Sequence, residues 1–94
     1  MSQSEIVTSI VNCMWDTACL DDKKFTSCTT LQHAFEIIFS DTMTCIKGEL
    51  GFIKFLPEEY IEAWDDAQQQ FINEFNEKFE NYESFMKETY DITI

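Results

Sequence analysis

Few side chains in this sequence combine the residue types and spacing that catalysis requires. His33 is the only histidine, and histidine is the side chain that titrates near neutral pH without help from its neighbours. It lies in LQHAFEI, where no nucleophile signature accompanies it, so we interpret it as a helix-surface or partly buried histidine and not as a catalytic base. The sequence also lacks a glycine-rich phosphate loop. We therefore predict a non-enzymatic protein without a cofactor.

The four cysteines do not follow a metal-binding or disulfide pattern. They lie at positions 13, 19, 28 and 45, and no C-x-x-C pair occurs. On a shared helix, Cys13 and Cys19 would point about 120° apart, which is unsuitable for holding one metal ion. We expect reduced, half-buried thiols in a cytoplasmic protein, where disulfides are rare. No metal site is predicted.

The charge of the chain excludes several classes of partner. Eighteen acidic residues stand against six lysines and no arginine, which gives a formal net charge of −12 and a pI near 4.1. Such a chain repels DNA, RNA and anionic membrane surfaces. No signal peptide and no apolar run of about 20 residues is visible. We expect a cytoplasmic protein whose charged partner presents a basic surface.

Apolar periodicity predicts an all-α fold, a small single-domain bundle of four to six helices. Apolar residues recur at three- and four-residue steps in three segments. Ser4 is the expected N-cap of the first segment, Thr29 or Thr30 that of the second, and Pro57 begins the third. The predicted helices cover residues 4–19, 30–40 and 58–90. Nine Phe, three Tyr and two Trp supply the core that a chain of 94 residues needs.

The segment 43–56 leaves two alternatives open. It contains both glycines, Gly48 and Gly51, and reads either as a short hairpin that turns at KGE or as an irregular loop followed by a brief helix. The second alternative is favoured, because an isolated two-stranded hairpin is marginally stable.

The segment 58–90 is one long helix or two shorter ones. Its apolar register continues from Tyr60 to Tyr90, but Gln68 falls within the apolar stripe. Two aspartates just before it are better caps than helix-interior residues. We therefore expect a break or kink near residues 65–68.

The first helix carries more apolar surface than one core requires. Its apolar side chains cover well over half of the helical circumference, whereas a surface helix needs a stripe somewhat over about 100° wide. Either the helix lies centrally and is covered on several sides, or its second side docks a partner helix or another copy of the chain. On the docking hypothesis, we predict these protein-binding residues: Ile10, Val11, Met14 and Trp15.

The last third of the chain combines an aromatic face with an acidic one. In FINEFNEKFENYESFM, the aromatic residues gather on one side of a helix, and Glu77, Glu80 and Glu83 fall roughly opposite. Residues 57–94 hold eleven acids and two lysines. The acidic face either keeps the helix soluble or mimics nucleic acid, since one charge per about 4 Å of helix is close to the spacing of about 3.4 Å along a DNA strand.

The same segment, FINEFNEKFENYESFM, resembles the anti-sigma proteins of the AsiA family of T-even-type bacteriophages. The similarity is centred on EFNEKFE and its distance from the C-terminus, and it extends weakly through GFIKFL and LQHAFEII. The resemblance implies a small, all-helical phage protein that binds the C-terminal region of the host primary sigma factor. Such a protein blocks recognition of the upstream promoter element and passes the polymerase to a phage co-activator. The resemblance also implies self-association through an apolar N-terminal surface, and hence a homodimer.

Two hypotheses of function follow. The first is an anti-sigma factor, a transcription regulator that acts in the host bacterial cytoplasm. The second is an acidic phage inhibitor of a host defence complex, of the anti-CRISPR or anti-restriction type, that acts as a DNA mimic. The net charge of −12 exceeds what the resemblance implies and strengthens the second hypothesis, but the anti-sigma factor is favoured and the defence inhibitor is the alternative. Both act by occupying a basic helical surface of a host protein, without direct binding of nucleic acid or membrane.

Overall fold

Four α-helices and one short 3₁₀ helix build the fold over the described residues, 2–20, 22–28 and 30–93 of the computed structural model. In chain order, these elements are α1 (Gln3–Ala18), the 3₁₀ helix Asp22–Phe25, α2 (Leu31–Glu49), α3 (Glu58–Lys78) and α4 (Tyr82–Tyr90). None of the described residues lies in a β-strand, so the all-α prediction is confirmed. Within the same residues, no helix has the length and apolar character needed to cross a bilayer.

Side-chain caps determine where the first two long helices begin. Ser2 caps α1 by accepting a hydrogen bond from a backbone amide in the first turn, so the helix begins before the predicted cap, Ser4. Thr30 caps α2 in the same way, as predicted. Thr29, the other residue predicted for this role, lies outside the described residues.

α2 is longer than apolar periodicity alone predicts. It passes the expected end at Ser40 and continues to Glu49, because side chains at steps of four stay buried along one side: Ala34, Ile38, Thr42 and Ile46. No strand occurs in the segment 43–56, so the hairpin alternative is wrong. The irregular loop of the other alternative is present only at residues 50–57, and the brief helix expected after it is wrong, because the helical residues 43–49 precede the loop as the end of α2.

α3 is unbroken at residues 65–68, where a break or kink was expected. Ala63, Ala67 and Phe71 are all fully buried at steps of four, so close packing on this side continues through the stretch. Gln68 is half-buried beside that stripe, where a long side chain can direct its amide towards solvent. The predicted break is therefore wrong in position.

The break in segment 58–90 lies near its C-terminal end instead. α3 ends at Lys78, and Asn81 caps α4 by accepting a hydrogen bond from the Ser84 amide at 2.8 Å. An asparagine at an N-cap satisfies one of the amides that the first turn leaves without a helical partner. This local cap, and not the polar interruption of the apolar stripe, divides the segment into two helices.

Aromatic rings from all four α-helices meet around Phe75. Trp15 of α1 stacks on it at a centroid distance of 6.2 Å, Phe35 of α2 approaches it edge-on at 5.0 Å, and Phe85 of α4 lies 5.1 Å away. Each such pair contributes about 0.5–1.5 kcal/mol beyond the burial of apolar area. Phe75 therefore joins the four helices into one core.

Hydroxyl groups complete the contacts between elements. Thr17 of α1 and Thr42 of α2 are buried, and their hydroxyls share a hydrogen bond of 3.4 Å. This bond satisfies polar atoms that would otherwise destabilise the interior. Two phenols of α4 donate to backbone carbonyls near the 3₁₀ helix, Tyr82 to Phe25 and Tyr90 to Ala18.

Candidate protein-binding surface

The structure places the predicted docking residues of α1 inside the fold. Ile10, Val11 and Met14 are buried, and Trp15 is half-buried. α1 packs against both α2 and α3, so its wide apolar face is covered by the chain itself. The ammonium group of Lys78 lies 4.5 Å from the centre of the Trp15 ring, a cation–π contact over the indole. Burial thus contradicts an exposed docking face at these residues and supports the central position of α1.

The predicted acidic residues are exposed but do not share one helical face. Glu77 lies in the last turn of α3, Glu80 in the connection and Glu83 in the first turn of α4. The break between α3 and α4 interrupts the helix on which their common face was predicted. All three lie within seven residues of the chain, at the C-terminal end of α3 and the start of α4.

Acidic side chains occur in both helices of the last third of the chain and in the connection between them. We call these eleven residues the acidic surface: Glu58, Glu59, Glu62, Asp65, Asp66, Glu74, Glu77, Glu80, Glu83, Glu88 and Asp91. Glu74 is half-buried and the others are exposed. Five of the eleven fall within the first nine residues of α3, where there is no lysine. The highest density of negative charge is therefore at the N-terminal end of α3, where the helix dipole stabilises Glu58 and Glu59 of the first turn.

The connection between α2 and α3 exposes two phenylalanines that sequence reasoning missed. We call residues 51–56 the aromatic loop. Phe52 is 91% exposed and Phe55 is 73% exposed. The sequence feature that could have predicted their exposure is the position of both phenylalanines between Gly51 and Pro57. This stretch is too short to form an amphipathic helix that would bury them.

The backbone of the aromatic loop is held at both ends. Gly51 and Phe52 have positive φ angles of 100° and 59°, which turn the chain away from the end of α2. The amides of Phe52 and Ile53 both donate to the Lys47 carbonyl, at 2.9 and 3.3 Å. Leu56 is buried in the core at the other end. The two exposed rings therefore project from a fixed support.

An apolar cavity of about 180 Å³ lies beside the aromatic loop. It is lined by residues of α2, the loop and α3: Met43, Leu56, Ile61, Trp64 and Asp65. Ile61 is itself 58% exposed. Leu56 is the loop residue that lines the cavity, and Asp65 places a negative charge at its border.

The side chains that could take part in chemistry, one histidine and four cysteines, belong neither to the aromatic loop nor to the acidic surface. His33 is exposed in the first turn of α2. All four cysteines are free thiols; Cys28 is buried and Cys13 half-buried, as predicted for fillers, whereas Cys19 and Cys45 are exposed. Burial raises the pKa of Cys13 to about 11, so its thiol is protonated at neutral pH and is a poor nucleophile. Among the described residues, no group of three or more His, Cys, Asp or Glu is arranged to hold a metal ion.

Comparison with known proteins does not extend the sequence resemblance. No protein-family model matches the chain, and no curated protein or solved structure matches it. The surfaces described above are therefore the basis for a proposal of function.

Proposed function

We propose that this protein is a non-enzymatic regulator that binds the C-terminal region of a bacterial primary sigma factor and blocks promoter recognition. The observation that carries the proposal is the acidic surface, whose side chains are exposed with one half-buried exception. Protein regions that recognise DNA are basic, so the acidic surface is complementary to the DNA-reading face of such a region. The resemblance of residues 71–86 to the AsiA family selects the sigma factor among basic partners.

The proposed mechanism is competition with DNA. A protein that covers the DNA-reading face occupies the place of the promoter, and its carboxylates add electrostatic repulsion of the phosphates. Complementary charge also accelerates encounter with the basic partner, most strongly at low salt. The mechanism makes and breaks no covalent bond, so it requires no catalytic group, metal ion or cofactor.

Binding of the purified chain to the purified C-terminal region of a bacterial primary sigma factor tests this function. Titration calorimetry should show a stoichiometric complex whose affinity decreases with added salt. The chain should also inhibit transcription by the sigma-containing polymerase from a promoter that depends on the upstream element. Absence of a complex at micromolar concentrations of both proteins would contradict the proposal.

The acidic surface also favours a second function, inhibition of a host nucleic-acid-binding defence complex by mimicry of DNA. In a mimic, affinity comes from carboxylates placed where phosphates bind, so binding depends steeply on salt concentration. Replacement of Glu77, Glu80 and Glu83 together by Gln should then remove most of the binding to a CRISPR or restriction complex. Competition between the chain and a DNA fragment for such a complex, without any binding to the sigma region, would select this second function.

A further inference from the structure

The aromatic loop contains two phenylalanine rings that the fold does not bury, although the Lys54 ammonium lies 5.5 Å from the centre of the Phe55 ring. Phe52 and Phe55 are the two most exposed of the large apolar residues in the loop region, so packing within the chain does not explain them. Phe52 also has a φ of 59°, a conformation that is unfavourable for a residue with a β-carbon. Such strained residues persist where the surrounding structure holds them, and they are concentrated at functional sites.

The loop presents these rings in a preformed arrangement. Two backbone hydrogen bonds to the Lys47 carbonyl fix the start of the loop, and buried Leu56 fixes its end. A binding element that is already ordered loses little conformational entropy when a partner binds. Phenylalanine adds large apolar area with only two rotatable side-chain bonds, as interface anchors do.

Acidic residues flank the loop in the chain and border it in space. Glu49 precedes it at the end of α2, and the five-acid cluster at the start of α3 follows it. Asp65, a member of that cluster, lines the apolar cavity next to Leu56 and Ile61. Lys47 and Lys54 are the lysines within the same part of the chain, residues 47–66, so six acids outnumber two bases there.

We propose that Phe52 and Phe55 anchor the interface with the partner of the proposed function, on which this inference rests. The two rings enter an apolar socket on the sigma region, and lysines and arginines around that socket meet the acidic cluster at the start of α3. A second copy of the chain fits this surface poorly because each copy carries a net charge of −12. An anionic membrane surface is repelled for the same reason.

Two variants of the loop test the anchors against the purified C-terminal region of a bacterial primary sigma factor. Phe52→Gly removes a ring while keeping a residue that readily adopts positive φ, and Phe55→Ala removes the other ring. Leu20→Ala is the matched control, because Leu20 is 75% exposed and lies in a different connection. Each loop variant should raise the Kd at least about thirtyfold. This change equals a loss of binding free energy of about 2 kcal/mol, at about 1.4 kcal/mol per factor of ten. The control should change it less than about twofold.

A matched pair of charge variants tests the acidic cluster at the start of α3. One triple variant replaces Glu58, Glu59 and Glu62 by Gln, next to the loop, and the other replaces Glu77, Glu80 and Glu83 by Gln, at the far end of α3. Each removes three charges, and α3 separates the two sites by roughly 30 Å. The variant next to the loop should lower the association rate constant and its salt dependence more than the far one. The reverse order would overturn the proposed position of the interface.

The outcomes separate this inference from the function on which it rests. If the wild-type chain binds the sigma region and both loop variants bind equally well, the anchor assignment is wrong and the proposed function stands. If the wild-type chain does not bind, both are wrong. Circular dichroism must show unchanged helix content in each variant. Loss of self-association in sedimentation, or of binding to phosphatidylserine-containing vesicles, on Phe52→Gly would overturn the assignment in favour of those occupants.

Discussion

The apolar face of α1 and the aromatic loop use apolar side chains in opposite ways. On α1, Ile10, Val11 and Met14 are buried by the neighbouring helices. In the loop, Phe52 and Phe55 face solvent. A helical residue shares its face with neighbours three and four positions away, and together they form an apolar stripe that another helix covers. A loop residue has no such neighbours, so its burial depends on the path of the backbone.

The comparison shows what a wide apolar stripe indicates in a small all-α protein. More than one apolar side on α1 indicates contact with more than one helix, here α2 and α3. Exposed apolar surface lies instead where the backbone turns away from the core, at Gly51 and Phe52. Full burial of one large apolar side chain is worth about 1.5–3 kcal/mol, and the loop leaves this free energy available for binding.

The largest difference between the two regions should appear in folding stability. Met14→Ala removes a fully buried side chain and should lower the free energy of unfolding by about 2–5 kcal/mol, because it leaves a cavity. Phe55→Ala removes a larger but exposed side chain and should change it by less than about 0.5 kcal/mol. Urea unfolding followed by circular dichroism measures both. Equal losses would show that the loop belongs to the core and would remove the contrast.

Trp15 should give an intermediate effect, because it is half-buried. Its ring packs on Phe71 at a centroid distance of 4.6 Å and is covered by Lys78. Trp15→Ala should therefore lower the free energy of unfolding by about 2 kcal/mol, roughly half of the usual loss for a fully buried aromatic residue. Urea unfolding gives the stability, and binding to the sigma region should remain unchanged once the variant is shown to be folded. A loss of binding in the folded variant would show that α1 contributes to the interface.

Phe52→Gly should raise stability slightly. Glycine removes a penalty of about 1–2 kcal/mol for left-handed backbone, and its greater freedom in the unfolded chain offsets about 0.5–1 kcal/mol of that gain. Thermal and urea unfolding should show a net increase of up to about 1.5 kcal/mol. Ile53→Gly is the control, because Ile53 does not have positive φ and the substitution should destabilise the chain. A stability loss in Phe52→Gly would mean that its ring supports the fold.

The smallest expected effect is a loss of folding stability at alkaline pH, caused by the thiol of Cys13 on α1. Burial raises the pKa of Cys13 from 9.0 to about 11. Below pH 9 the thiol is protonated in both the folded and the unfolded chain. Between about pH 9 and pH 11 it ionises in the unfolded chain but stays protonated in the folded one, so folding stability should decrease as the pH rises through this range. Urea unfolding at several pH values should show a shallower decrease for Cys13→Ala than for the wild type. Identical slopes would exclude a contribution from this thiol.

Local features of the sequence predicted most of the helical architecture. Periodic apolar residues identified the helices, and Thr30 and Pro57 marked the starts of α2 and α3, because capping and periodicity act within one or two turns of the chain. The break at Asn81 was also readable, since an asparagine followed by a short amphipathic run is an N-cap signal. The polar Gln68 was the more conspicuous feature, but burial of Ala67 and Phe71 keeps α3 intact through that stretch.

The acidic character of the chain was likewise determined by the sequence alone, because net charge depends on composition and not on packing. The candidate site was not. Which side of α1 is covered, and whether Phe52 and Phe55 are buried or exposed, depends on contacts between segments far apart in the chain. A stripe of apolar residues indicates only that one side of a helix is buried by some partner. The packing of α2 and α3 on α1 shows that the chain itself buries this side. The turn at Gly51 then left the two phenylalanines of the aromatic loop outside the core.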